Sequence, residues 1–170
     1  MRTEFSENME TAGFNEPHQR LAIGGVYNHL LMFGQLGDPV DNTENKPFGP
    51  LADAIAQYFT DFDGFKEAFK RAVIGRALPG WVWLGVCEDG RLCITQTNNE
   101  DNPLMHGVVD VQCVPICGID LWEHAYLQQY AGDKGAYCEA FFRCTQWAIA
   151  SANYEFYNSQ NKATPVSDDA

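Results

Sequence analysis

The chain is predicted to be α+β, with a three-stranded antiparallel sheet between groups of helices. Two features of the 170-residue sequence carry this reading. Apolar residues recur at helical spacing before residue 76 and again after residue 120. Between them lie short β-rich runs joined by Asp89-Gly90, a pair that favours a tight hairpin turn. Helices, then consecutive strands, then helices is the α+β order.

Taken in order, residues 1–16 are polar and aperiodic. From His18 to Leu36, the apolar residues Leu21, Val26, Leu30, Phe33 and Leu36 recur at helical spacing and predict one helix. Gly24-Gly25 inside it would cost about 1 kcal/mol each relative to Ala, tolerable where another group must approach the backbone closely. Residues 37–50 are rich in turn formers and form the best boundary. It separates an N-terminal helical segment, 1–40, from an α+β domain, 46–160. Residues 161–170 read as a disordered tail.

Past the connector, Pro50 lies in the first turn of a helix that ends near Tyr58 or Phe59. Asp61 reads as the N-cap of a second helix bearing Phe65, Phe69, Val73 and Ile74, stopped by Pro79-Gly80. Strands follow at Trp81–Cys87 and Leu92–Thr97, and a third runs from about Gln112 to Ile119. Residues 121–130 read as a short helix, and 137–158 as one longer helix.

Composition narrows the function classes. The net charge is −12, and the 11 Lys and Arg are scattered, which argues against nucleic acid and against an anionic membrane surface. No stretch approaches the ~20 apolar residues of a membrane span. The six cysteines form no CxxC pair and lack zinc-ribbon spacing. Most lie in apolar stretches, as free thiols of a reducing intracellular compartment would, the cytoplasm or the mitochondrial matrix.

Asp120 and His124 stand four apart where a strand gives way to a helix, so an oxygen and a nitrogen ligand can face one metal ion. His29, in the middle of the first helix, adds a second imidazole. The segment Asp120-Leu121-Trp122-Glu123-His124-Ala125-Tyr126 resembles the DxWEHAY signature of the iron/manganese superoxide dismutases. The resemblance continues in that family's order through Gly24-Gly25, Asn28-His29, Phe65-Lys66, Gly80 to Leu84, Asn99 to Leu104, Pro115, Gly118, Tyr137 and Trp147. It covers roughly residues 17–158.

The resemblance implies that His29, Asp120 and His124 are three of four ligands to one iron or manganese ion. Trp81, Trp83 and Trp122 would form its apolar surround. Glu123 would reach across a two-fold dimer interface to His124 of the partner chain, with Tyr126 beside that interface. Glu100 falls where manganese members carry a glutamine that hydrogen-bonds the metal-bound solvent. Gly25 agrees with the manganese pattern, Leu127 replaces a tyrosine of the substrate channel, and Lys134 falls near a channel arginine.

The family's first ligand lies on a helix upstream of the Asn-His helix, and only 28 residues precede His29 here. The N-terminal segment is therefore expected to be an incomplete helical hairpin. His18, ~16 Å along a continuous helix from His29, would ligate only by folding back. His106 has no family counterpart.

Two functions follow as expectations. One is dismutation of superoxide to dioxygen and hydrogen peroxide at a mononuclear iron or manganese site. The other is a non-catalytic, dismutase-derived structural subunit of a larger assembly, the mitochondrion being one setting. In either case apolar surface on the first helix is expected to be covered by a second copy or another protein.

Overall fold

A computed structural model describes residues 17–40 and 45–161. The polar N-terminal stretch 1–16 and the tail from Lys162 onward lie outside the described residues. Helix α1 spans Pro17–Gln35. Its first residue is a proline, whose missing N–H has no intrahelical partner at that position in any case. The face it buries is not the apolar row seen in the sequence. Gly24, Asn28, Met32 and Gln35 point inward, while Leu30 and Phe33 are 67% and 62% exposed. Gln35 Nε2 donates to the Ile116 carbonyl of the sheet, so polar residues on this helix are held by specific partners and not by transfer from water.

Helix α2 spans Gly49–Phe59, with Pro50 in its first turn and Leu51, Ala54 and Ile55 buried. Helix α3 spans Phe62–Gly75. Its N-cap is Asp61, whose Oδ1 accepts from Gly64 N at 2.7 Å, satisfying one of the free N–H groups of the first turn. Phe65, Phe69 and Val73, spaced by four, form its buried stripe. Ile74, expected on the same helix, is 56% exposed.

The sheet consists of β1 (Gly80–Val86), β2 (Leu92–Asn98) and β3 (Val114–Asp120). All neighbours are antiparallel, in the order β2-β1-β3. The central strand is buried along its whole length, which explains its unbroken apolar sequence. Gly90, at φ +82°, makes the hairpin turn. Register pairs Trp81 with Thr97 on one side and with Asp120 on the other. This register sets the site, because it places the last residue of β3 beside the first tryptophan of β1.

After β3 come α4 (Glu123–Tyr130), α5 (Lys134–Cys144) and α6 (Trp147–Asn161). The single long helix expected over 137–158 is thus two helices. At the break, Thr145 pairs with Leu36 as an isolated antiparallel bridge, and Gln146 N donates to the Gln35 carbonyl at 2.7 Å. Thr145 Oγ1 also returns to the Phe141 carbonyl at 2.8 Å. Side-chain and tertiary partners thus replace the helical ladder there. The expected helix over 121–130 begins two residues later, because Trp122 N donates to Asp120 Oδ1 at 2.8 Å and turns the chain. Asn161 closes α6 and is not part of the tail.

The core lies between the sheet and helices α2, α3, α5 and α6, built on Phe65, Phe69, Trp83, Phe142 and Trp147. Among the described residues no helix is long and apolar enough to cross a membrane.

Candidate metal centre

Three elements converge on one end of the sheet. α1 supplies His29, the end of β3 supplies Asp120, and the first turn of α4 supplies His124. One ligand atom from each lies within 4.8 Å of the other two. Asp120 Oδ2 is 3.4 Å from His29 Nε2 and 3.0 Å from His124 Nε2. For ligand bonds of about 2.1 Å, two donor atoms at a right angle to one ion lie about 3.0 Å apart. Two imidazoles and one carboxylate form a nitrogen and oxygen donor set suited to iron or manganese. Among the described residues this is the one group of three such side chains at ligand spacing.

The orientation of His29 is fixed from behind. Its Nδ1 lies 2.8 Å from the Gly25 carbonyl. A carbonyl only accepts, so Nδ1 carries the proton and Nε2 keeps its lone pair towards Asp120. The ring stands edge-on to Trp81, centroids 5.1 Å apart, and Trp81 stacks on Trp83 at 5.1 Å. Both tryptophans are fully buried. Trp83 Nε1 donates to Thr97 Oγ1 at 2.8 Å, and Gly118 leaves room for its ring. Trp122 is half-buried beside His124 and donates to the Asn99 carbonyl at 3.2 Å.

Asp120 is buried, and burial pushes its carboxyl above the ordinary value. The Trp122 amide and the two imidazoles pull it partly back. Glu100 also lies close enough to His29 and Asp120 to feel both. Its Oε2 accepts from Trp81 Nε1 at 3.0 Å and from Asn28 Nδ2 at 3.3 Å. Burial raises its pKa first of all, and the neighbouring Asp120 charge adds to the rise. The Trp81 hydrogen bond and His29 oppose it.

The remaining residues singled out in the sequence fall in different surroundings. Glu123 is exposed, and the His124 side chain is 62% exposed. Tyr126 is buried against Tyr137, centroids 6.1 Å apart. Lys134 sits over the Tyr126 ring and donates to the Arg76 carbonyl. Leu127 is exposed. His18 lies at the start of an unbroken α1, eleven residues from His29, and His106 lies in the turn region before β3. Neither joins the cluster.

Sequence reasoning missed the support beneath Glu100. Asn28 is fully buried and donates to the Glu100 carbonyl at 3.0 Å, while Asn102 Nδ2 donates to Asn28 Oδ1 at 3.1 Å. A polar residue in the middle of a helix face beside two glycines was the available signal. Gly24 is where the backbones meet, because a Cβ there would collide with the Glu100 carbonyl oxygen.

Residues 47–153 match the family of iron/manganese superoxide dismutases, C-terminal domain. The chain belongs to that family. It is 39% identical over 132 residues to a manganese superoxide dismutase of Bordetella pertussis, covering 78% of this chain and 59% of that protein. Against a Mn/Fe superoxide dismutase of Methylomonas sp. strain J it is 39% identical, covering 78% and 61%. Against a manganese superoxide dismutase of Acinetobacter baylyi it is 36% identical, covering 77% and 56%. The chain thus spans less than two thirds of the length of these superoxide dismutases.

Proposed function

We propose that the chain is a superoxide dismutase, converting two superoxide ions and two protons to dioxygen and hydrogen peroxide, with His29, Asp120 and His124 holding one iron or manganese ion. The observation that carries this reading is the convergence of three donor atoms on one point, with the His29 proton already committed to the Gly25 carbonyl. When bound, such an ion supplies two accessible oxidation states for one-electron transfer.

The chain's own residues do the rest. The buried Asp120 carboxylate balances positive charge in a site walled by Trp81, Trp83 and Trp122. Peroxide formation consumes protons, and the Glu100 carboxyl can hold one, since burial strengthens its grip on the proton. Further coordination positions fall to solvent or to a group outside the three side chains. Glu123 and His124 are both exposed, which suits a two-fold dimer in which Glu123 of each copy orients the other's imidazole. Tyr126 and the Lys134 ammonium above it would line that boundary.

A second reading is a non-catalytic subunit of a larger assembly. The exposed apolar row Val26, Leu30 and Phe33 on α1 favours it. Superoxide decay followed by stopped flow, on full-length chain loaded with iron or manganese, separates the two. The dismutase reading predicts rapid decay that falls to the uncatalysed rate in Asp120→Ala. Equal decay with the loaded wild type and with Asp120→Ala would leave the assembly reading standing.

A further inference from the structure

At the opposite end of β1, about 13 Å from Trp81 at four residues of about 3.3 Å each, lies a group of thiols that the metal centre does not use. Register pairs Gly85 with Cys93 and brings Cys87 opposite Arg91 at the hairpin end. Side chains alternate faces along a strand, so Cys87 and Cys93 share the face towards which Gly85 has no side chain. Cys113, one residue before β3, fills that space. A Cβ on Gly85 would collide with the Cys113 sulfur and would lie 3.2 Å from its Cβ.

Cys93, directly across the ladder from Gly85, has its Cβ about 5 Å from that same position. The two residues therefore approach the same glycine from the two sides of β1. The thiols of Cys113 and Cys87 both act on that of Cys93. All three are free thiols.

We propose that Cys93 and Cys113 form a peroxide-sensitive dithiol that closes to a disulfide across Gly85. Cys93 is half-buried and Cys113 buried, so Cys93 is the thiol a hydroperoxide meets first. The neighbouring thiols of Cys113 and then Cys87 hold the Cys93 thiol below its ordinary pKa, against the opposing effect of burial. A cleft of about 240 Å³ borders Cys113 and is lined also by Val86, Glu88 and His106.

The chemistry balances. Cys93 thiolate attacks a peroxide oxygen; the O–O bond breaks, an S–O bond forms, and the leaving hydroxide takes a proton to become water. Cys113 sulfur then attacks the Cys93 sulfenic acid, and the S–O bond breaks as the S–S bond forms. The Cys113 proton departs with the hydroxide as a second water. Two thiols and one hydrogen peroxide give one disulfide and two waters. The crosslink closes the segment 94–112, which carries Glu100 and Asn102.

The test is treatment of the full chain with one equivalent of hydrogen peroxide, blocking of remaining thiols, and peptide mapping by mass spectrometry. Titratable thiols in denaturant should fall by two from six, and the crosslinked peptides should join Cys93 to Cys113. Cys93→Ser should show no crosslink, and Cys113→Ser should leave a Cys93 sulfenic acid that dimedone traps. Cys93→Ser changes a half-buried thiol, so it keeps the test open should the Cys113 variant fold poorly. No loss of thiols in wild type, or a crosslink joining Cys93 to Cys87 instead, would overturn the proposal.

Discussion

Asn28→Ala probes whether the support beneath Glu100 is structural. The wild-type side chain is fully buried and makes three hydrogen bonds, two to Glu100 and one from Asn102. Truncation leaves the Glu100 carbonyl without this donor and one Asn102 N–H without this acceptor. Each buried group so stranded costs about 1–3 kcal/mol, giving about 2–6 kcal/mol for the pair. Space vacated by the side chain can admit a water that restores part of this. The expected loss is therefore about 2–4 kcal/mol, read as a shift of the urea midpoint at constant slope on metal-free protein. Asn28→Asp keeps the acceptor for Asn102 but turns a carboxylate oxygen towards the Glu100 carboxyl. It should be less stable than Asn28→Ala at neutral pH and should recover as pH falls and the carboxyl pair takes up a proton. A loss below about 0.5 kcal/mol for Asn28→Ala, the size of an ordinary surface change, would refute the reasoning.

Two glycines of α1 should respond in opposite directions. Gly24→Ala drives a methyl against the Glu100 carbonyl and should cost about 1–3 kcal/mol. Gly34 is exposed with open space around it, and Gly34→Ala should gain about 0.5–1 kcal/mol in the same unfolding experiment. Glu100→Gln should flatten a pH dependence of the metal-free protein. The folded-state pKa of Glu100 lies above its ordinary 4.5, so the unfolded chain releases the proton first as pH rises. Wild-type stability should fall from about that pH up to the raised value, and no further above it. The amide variant, which keeps an acceptor for Trp81 Nε1, should lack this fall and be the more stable at neutral pH.

Where local chemistry decides, the sequence was readable. Asp61 at its cap, Asp89-Gly90 at its turn and the strands to within a residue or two all follow from short-range rules. The helix break at Thr145 was not legible, because its cause is a pairing with Leu36 and Gln35 more than a hundred positions away. The inward face of α1 was misread for a related reason. Leu30 and Phe33 carry the periodic apolar signal, whereas Asn28 and Gln35 are buried by partners on the loop after β2 and on β3. Gly24-Gly25 did announce a close approach, but not that the approaching group is the Glu100 carbonyl. His29, Asp120 and His124 came together through the resemblance of Asn28-His29 and DLWEHAY. Spacing alone offered only Asp120 and His124 as a pair.

The central claim is that these three side chains hold one metal ion, and elemental analysis of the full-length chain after reconstitution with iron or manganese tests it most directly. The account predicts close to one ion per chain, lost when Asp120 is changed to Ala and retained when the exposed Gly34 is changed to Ala. Metal bound equally by wild type and Asp120→Ala, or by neither, would contradict it.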